Sequence, residues 1–498
     1  MKRIQFIVLF FLIFVNSAFA AVSVISYGGA QTVSGSSFLV ERGKDSCLVD
    51  CGMFMGEVSS DKNFEMPAEL INAGALILTH AHTDHIGRVP LLIASGFKGK
   101  IYSTQATKYL ALEFFRQGTG FEFIKREWFW FPENGKRSYT IHWRFECMNS
   151  LKQVKLLQKP MLLKEVRETY GMNFYLCKKC LKYETAEIEK LFITVKYNEE
   201  VTLFKDFKFK LINAGHIPGS ASVFFEIEGK KILFSGDLGS GFSRLNAKAE
   251  NPPKADYVFV ESTNALIDES TEQSGFMIFR KDLMKALSEK KIVWIPALSF
   301  NRTQKVLYEL KLMQDEKILD KNVPIYSVSP SANRINAIYE KEIKKEKAGW
   351  FAKEIYERGT LLPKNLKKSV SSFDKAMIIL SSSGDMDAGM SKKLAGQLLT
   401  RDDVFIMIVN YVDPGSLAGN LIERNSFENK KVDIKRYHIF SGHPDIKGIS
   451  AWLSSQDINS NIYLIHGEKE SLMKMENILK RKYRNVFIAK IKERIIIK

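Results

Sequence analysis

From Ala21 onward, short apolar runs alternate with polar turns. The segments VSVISYGG, SSFLVERG and SCLVDCG predict three early strands. ALILTHAHTDHIG predicts a strand running into a loop, and its unbroken apolar stretch, Ala75 to Leu78, is the pattern of a strand covered on both faces. RVPLLIASG then predicts a helix. Residues 105–200 mix helical and strand signals and are rich in Lys, Arg, Phe and Trp. The pattern clears in KDFKFKLINAGHIPGSASVFFEIEGKKILFSGDLG, which reads as strand, loop, strand, turn, strand, with Glu228-Gly229-Lys230 at a hairpin tip. DYVFVEST is a further strand with a polar end.

From residue 266 the texture changes. Helical stretches alternate with the short apolar runs KIVWIPA, VPIYSVS, AMIILSS and VFIMIVN, the alternation of a parallel α/β domain. From His438 the first pattern returns in YHIFSGHPD, NIYLIHGE and NVFIAKIKERIIIK. The chain therefore divides into a host domain at 21–265, with the irregular Cys-containing segment near 105–200 inside it, an inserted α/β domain at 266–437, and a return to the host at 438–498.

The first twenty residues read as targeting. Met1-Lys2-Arg3 is a positive start, Ile4 to Val15 an apolar run, and Ala18-Phe19-Ala20 a small-x-small cleavage site. The expectation is a signal peptide at 1–20 and a periplasmic or secreted product with no stable membrane insertion after cleavage. With 498 residues and 45% hydrophobic content the chain can bury two cores, and it contains no repeat or low-complexity tract. The balance of 73 basic to 56 acidic residues gives +17, which favours a polyanionic partner.

His80-Ala81-His82-Thr83-Asp84-His85 places four ligand-type side chains within six residues, directly after a buried strand. On so tight a loop His80 and His82 can face one metal while Asp84 and His85 face another, and imidazole with carboxylate is the donor set of hydrolytic zinc. The chain has only eight histidines, which argues against a merely His-rich surface turn. His216, in the Gly-rich NAGHIPGSA, and Asp237, in FSGDLG after an apolar strand, supply the further His and the bridging carboxylate that two sites need.

Together, H-x-H-x-D-H, GH-x-x-GSA and SGDLG resemble the metallo-β-lactamase superfamily. Later segments resemble its β-CASP branch, the ribonuclease J-like and pre-mRNA 3′-end endonuclease-like nucleases: EST at Glu261 to Thr263, PALSFNRTQKVLYEL, YSVSPSAN, SSSGDMDAGMS, FSGHPD and LIHGE. The resemblance covers nearly all of residues 24–498. It implies an α/β fold, a metallo-β-lactamase αββα sandwich with an inserted β-CASP α/β domain. It implies one zinc on His80, His82, His216 and Asp237, and a second on Asp84, His85, Asp237 and His466. His443 resembles the general acid and Glu261 the carboxylate that orients it. Arg302, Ser329 and the loop Gly384 to Gly389 resemble contacts to substrate phosphates.

The resemblance implies a zinc-dependent hydrolase, most directly a nuclease cutting RNA, or single-stranded DNA, with a two-metal-activated hydroxide, and the pattern of residues 1–20 adds the expectation that it is exported. Single-stranded nucleic acid is then the partner, RNA before DNA, and the resemblance admits a homodimer. Two other readings compete: a hydrolase of a small ester or phosphodiester on the same scaffold, and a non-catalytic nucleic-acid-binding subunit. The sequence departs from the branch at Asn264-Ala265 after EST, at Asp385 and Asp387 in the Gly-rich loop, and at Asn420 in GSLAGNL. These bear on substrate contacts and leave the metal ligands intact. Of the five cysteines, Cys177 and Cys180 have knuckle spacing, so an additional structural zinc at Cys177/Cys180, with His142 and Cys147 as further candidates, competes with a disulfide.

Overall fold

The computed structural model describes residues 21–55, 61–124, 129–132, 138–142, 155–156, 161, 163–170, 173–241, 245–266, 270–343, 376–428 and 430–498. The expected signal peptide at 1–20 and Cys147 lie outside the described residues. Among those described, no helix is long and apolar enough to cross a membrane.

Two seven-stranded sheets among the described residues stack face to face. The first runs in the order 192–194, 100–103, 75–77, 45–49, 37–42, 22–28, 494–497. The second runs 201–204, 207–213, 221–227, 230–234, 257–261, 461–465, 485–488. Alternate side chains of each sheet meet in one shared core, Val24, Phe38, Val40 and Val49 from the first against Phe209, Phe225, Phe234 and Phe259 from the second. A ladder of rings runs through it, with Phe38 to Phe234 centroids at 5.6 Å and Phe234 stacked on Phe259 at 4.6 Å. The outer face of the first sheet is covered by helices Val89–Ala94 and Gln105–Arg116, that of the second by Ile446–Trp452 and Lys469–Leu479. The result is the αββα sandwich expected. Its final strand, Arg494–Ile497, pairs antiparallel with the first, Val22–Gly28. The hairpin read at Glu228-Gly229 is present, with both residues left-handed at φ 51° and 79°.

The inserted domain is built on a parallel sheet in the order 325–327, 377–381, 292–296, 404–408, 433–436. Its three central strands, 377–381, 292–296 and 404–408, are buried at every position and apolar except at Ser381, because both faces are covered. Val293 and Ile295 face helices Ser270–Ser288 and Arg302–Asp315, while Ile292 and Trp294 face Gly389–Leu398 and Leu417–Arg424. This domain docks on the sandwich through Phe300, Ile335 and Tyr339, which join the core beside helix Gln105–Arg116.

The irregular segment near 105–200 resolves into that helix, a small sheet in the order 155–156, 129–132, 138–142, 173–176, and helix Lys178–Glu189. Cys47, Cys51, Cys177 and Cys180 are thiols, with no disulfide among the described residues.

Candidate metal centre

Strands 45–49 and 75–77 run parallel in the first sheet, and 230–234, 257–261 and 461–465 run parallel in the second. Their carboxyl ends share one edge of the sandwich, where loop side chains converge. Asp50, the segment His80–His85, a loop that turns into the short helix Thr83–Ile86 after His82, and Asp237, Glu261 and His466 all stand there. Main-chain bonds fix the loops: Asp50 N–H donates to Ile77 O, Cys51 N–H to His85 O, and His466 N–H to Gly29 O at 2.7 Å. Gly52 is obligatory, since a Cβ there would sit 1.6 Å from Asp84 O.

The sequence-read ligands come together as two groups sharing Asp237. His80, His82, His216 and Asp237 form one, and Asp84, His85, Asp237 and His466 the other, with the donor atoms of each group within 4.8 Å of one another. Four of the imidazoles have their Nδ1 hydrogen occupied. His85 Nδ1 donates to Asp50 Oδ2 at 2.7 Å and His216 Nδ1 to Gly442 O at 2.8 Å. Thr79 Oγ1 donates to Asp50 Oδ2 and therefore accepts from His80 Nδ1 at 3.1 Å. Thr263 Oγ1 donates to His466 O and likewise accepts from His466 Nδ1 at 3.1 Å. Each turns its Nε2 inward, the arrangement typical of metal-bound histidine.

The inward atoms have the spacing of ligands on a common ion. His82 Nδ1 is 3.0 Å from His80 Nε2 and 3.1 Å from His216 Nε2, and His85 Nε2 is 3.2 Å from His466 Nε2. Two nitrogens bound tetrahedrally to zinc stand about 3.3 Å apart. Asp237 Oδ1 is buried and accepts no hydrogen bond of good geometry among the described residues, which suits an oxygen reserved for a cation.

Electrostatics agree. Burial, reinforced by neighbouring imidazoles, holds His80 and His216 well below the ordinary histidine value and His82 down at about 4, so their lone pairs stay available. Burial alone would lower His85 too, but Asp237, Asp50 and Asp84 surround it and raise it well above the usual range. Burial opposes ionisation of Asp237, yet His466, His85, His80 and His443 hold its carboxyl well below the ordinary value. A pocket that keeps carboxylates charged and imidazoles facing inward favours a cation.

Beside this cluster stands the expected acid pair. His443 Nδ1 lies 2.9 Å from Glu261 Oε2 and 3.1 Å from Oε1, and its Nε2 faces Asp237 Oδ2 at 3.9 Å. Glu261 is fully buried and accepts the Leu238 N–H on Oε1. Burial pushes His443 down, but Glu261 and then Asp237 raise it to about 9.

The three residues read as phosphate contacts have internal tasks. Arg302 Nη1 donates to Val409 O and Ile439 O at 2.6 and 2.7 Å. Ser329 is buried, its Oγ donating to Ser382 Oγ and accepting from Ser382 N–H, both at 2.7 Å. Gly384 is buried where a Cβ would meet the Asn410 side chain at 2.2 Å. The departures find tasks as well. Asp385 accepts from Asp413 N–H and Asp387 from Leu417 N–H, both at 3.1 Å, and Asn420 Nδ2 donates to Ser416 O. Asn264 Nδ2 donates to Ser441 Oγ and His443 O, holding the loop that carries His443. Sequence reasoning missed Asp50, Thr79 and Thr263, the partners that orient the ligands, and Lys305, whose buried Nζ donates to Ser441 O at 2.7 Å.

A face-to-face sandwich with two His/Asp clusters sharing one carboxylate at a sheet edge defines a metallo-hydrolase. The chain belongs to the metallo-β-lactamase superfamily and within it to the β-CASP family: it matches the metallo-beta-lactamase superfamily over residues 30–266, the Beta-Casp domain over 303–421, and the Zn-dependent metallo-hydrolase RNA specificity domain over 429–489. It is 24% identical over 94% of its length to Ribonuclease TTHA0252 of Thermus thermophilus, covering 99% of that protein. It is 28% identical over 89% of its length to an RNase J-like protein of Methanocaldococcus jannaschii, covering 92% of it. Cleavage and polyadenylation specificity factor 73 of Drosophila melanogaster is 24% identical over 92% of this chain, which spans 61% of that longer protein. A crystal structure of a protein of unknown function from Enterococcus faecalis shares the fold at a TM-score of 0.53 and 11% identity, over 96% of this chain and 100% of that one.

Proposed function

We propose that this protein hydrolyses phosphodiester bonds of RNA, with two zinc ions as its resident cofactor. The observation that carries the reading is the His443–Glu261 pair, with His443 Nε2 turned toward the shared Asp237. Zinc on this donor set supplies Lewis acidity and lowers the pKa of water toward about 7. The chain's own residues do the rest. Asp50, Thr79, Thr263 and the Gly442 carbonyl hold the ligand imidazoles in one tautomer, and Asp84 and Asp237 supply the charge the ions need. Glu261 keeps the hydrogen on His443 Nδ1, so the proton available to a departing sugar oxygen is the one on Nε2. A ribose oxygen leaves poorly as an alkoxide, and a general acid placed there is worth about 10²–10⁴ in rate.

The net charge of +17 supports a polyanionic substrate, and the names of the relatives support RNA. The test is hydrolysis of end-labelled single-stranded RNA by zinc-loaded protein beside His443→Ala. Cleavage that falls at least about 100-fold in the variant is expected. Absence of RNA cleavage with both metals bound would discard the substrate class and turn attention to small phosphodiesters. The charged, apolar and small-x-small pattern of residues 1–20 supports export, so the mature chain recovered outside the cytoplasm should begin at Ala21.

A further inference from the structure

His142, Cys177 and Cys180 form a third cluster of ligand-type side chains, outside the centre described above, all three buried and with donor atoms within 4.8 Å of one another. The topology explains the convergence. Strands Ser138–His142 and Asn173–Leu176 pair in parallel, Ile141 opposite Leu176, so His142 and Cys177 leave the ladder side by side. Cys177 N–H donates to Ile141 O at 3.0 Å and closes that pairing. Cys177 is also the N-cap of helix Lys178–Glu189, its Sγ accepting from Cys180 N–H at 3.4 Å, and one helical turn brings Cys180 to the same side. Cys180 Sγ lies 3.6 Å from His142 Nδ1. Zinc bound tetrahedrally at about 2.3 Å to sulfur and about 2.05 Å to nitrogen separates those two donors by about 3.6 Å.

We infer that His142, Cys177 and Cys180 hold a structural zinc ion, separate from the hydrolytic centre. Its bonds pass between two strand ends and the start of a helix, so it closes the small sheet at the point where Ile141 and Leu176 join the core beneath helix Lys178–Glu189. The clasp reaches the centre through packing. Leu181 and Ile188 of helix Lys178–Glu189 share a core with Leu112 and Phe115 of helix Gln105–Arg116, and Lys108 pairs with Glu189 at 3.3 Å. On that second helix Phe114 meets Phe300 edge-on at 5.1 Å, and Phe300 meets the ring of ligand His82 at 4.9 Å. Metal lost from the Cys site therefore loosens the wall against which His82 rests.

Cobalt(II) tests this on the full chain, because thiolate–cobalt charge transfer in the near ultraviolet cannot arise from a centre made of His and Asp alone. Metal-depleted protein, kept reduced and reloaded with cobalt, should show the band. Cys177→Ser/Cys180→Ser should lose it, Cys51→Ala and Asp237→Asn should keep it, and zinc content should drop from about three to about two per chain in the double variant. Absence of the band in the wild-type chain would overturn the inference whether or not any variant folds. So would an undiminished band in the double variant, or a Cys177–Cys180 disulfide recovered from the protein as isolated. The readout is independent of RNA cleavage, so it stands or falls apart from the proposed activity.

Discussion

Glu261→Gln separates charge from shape at the acid pair. The amide keeps an oxygen for His443 Nδ1 and for the Leu238 N–H, so the ring stays in place while the negative charge 2.9 Å away disappears. Burial lowers His443, and Glu261 is the strongest influence raising it to about 9. Without that charge, and with Asp237 still offsetting burial, the imidazole returns toward its ordinary value of about 6.5. A general acid works only while protonated, so the raised pKa extends activity to higher pH, and the rate falls as pH climbs through it. At pH 8 the protonated fraction drops from about nine-tenths to about 3%, roughly a 30-fold loss, whereas at pH 6 the two proteins differ by less than about 1.5-fold from this cause. The assay is kcat/KM for a labelled RNA oligonucleotide from pH 5.5 to 9.5, with His443→Ala as the control that lacks the limb altogether. An equal loss at pH 6 and pH 8, with the alkaline limb unmoved, would refute the reasoning and leave Glu261 a packing residue.

Other substitutions probe the supports. Asp50→Asn removes the carboxylate that accepts from His85 Nδ1, and metal affinity measured by competition with a chelator should weaken about 10–100-fold with the fold intact by circular dichroism. Arg302→Met strips two buried carbonyls of their donor; denaturant unfolding should show a loss of about 1.5–3 kcal/mol and kcat should fall, with KM for RNA nearly unchanged, whereas a phosphate-binding arginine would raise KM. Chelation should lower the melting temperature as well as abolish turnover, since an ion present at 1,000 times its Kd stabilises the folded state by about 4 kcal/mol, and calorimetry with and without chelator reads this directly.

The parts of this molecule readable from its sequence are those whose evidence is local. His80 to His85 follow one another directly after a fully apolar strand, and His216, Asp237 and His466 each stand where an apolar run ends. The central strands of the insertion's parallel sheet were equally legible, because strands covered on both faces have few polar positions to blur them, whereas the edge strand Asp433–Arg436, with three charged residues in four, was not. Asp50 was not, although it also ends a strand: Asp45 and Asp206 are similar acids beside apolar runs with no such task. What distinguishes Asp50 is the parallel pairing of 45–49 with 75–77, which carries it to Thr79 and His85. The small sheet in 105–200 was missed for a different reason. Its strands run five residues or fewer, too short for a period of two to separate from a helical face.

Arg302 shows how a motif can be located correctly and its contact still differ from the one expected. A basic residue opening a helix beside a Gly-rich loop has the look of a phosphate ligand, yet the carbonyls it meets belong to Val409 and Ile439, more than a hundred residues away. Lys305, one turn further along the same helix, holds Ser441 O. The helix thus grips the chain on either side of its crossing back into the sandwich, just before His443. His443, the proposed acid, comes from the return segment and its carboxylate partner from the second sheet, and the insertion's helix steadies the chain just ahead of His443. Loosening that dock, at Arg302 or Lys305, should depress turnover before it empties the metal sites, because the ligands stand on the sandwich and its loops, whereas the loop of His443 is held by the insertion's helix as well as by Asn264.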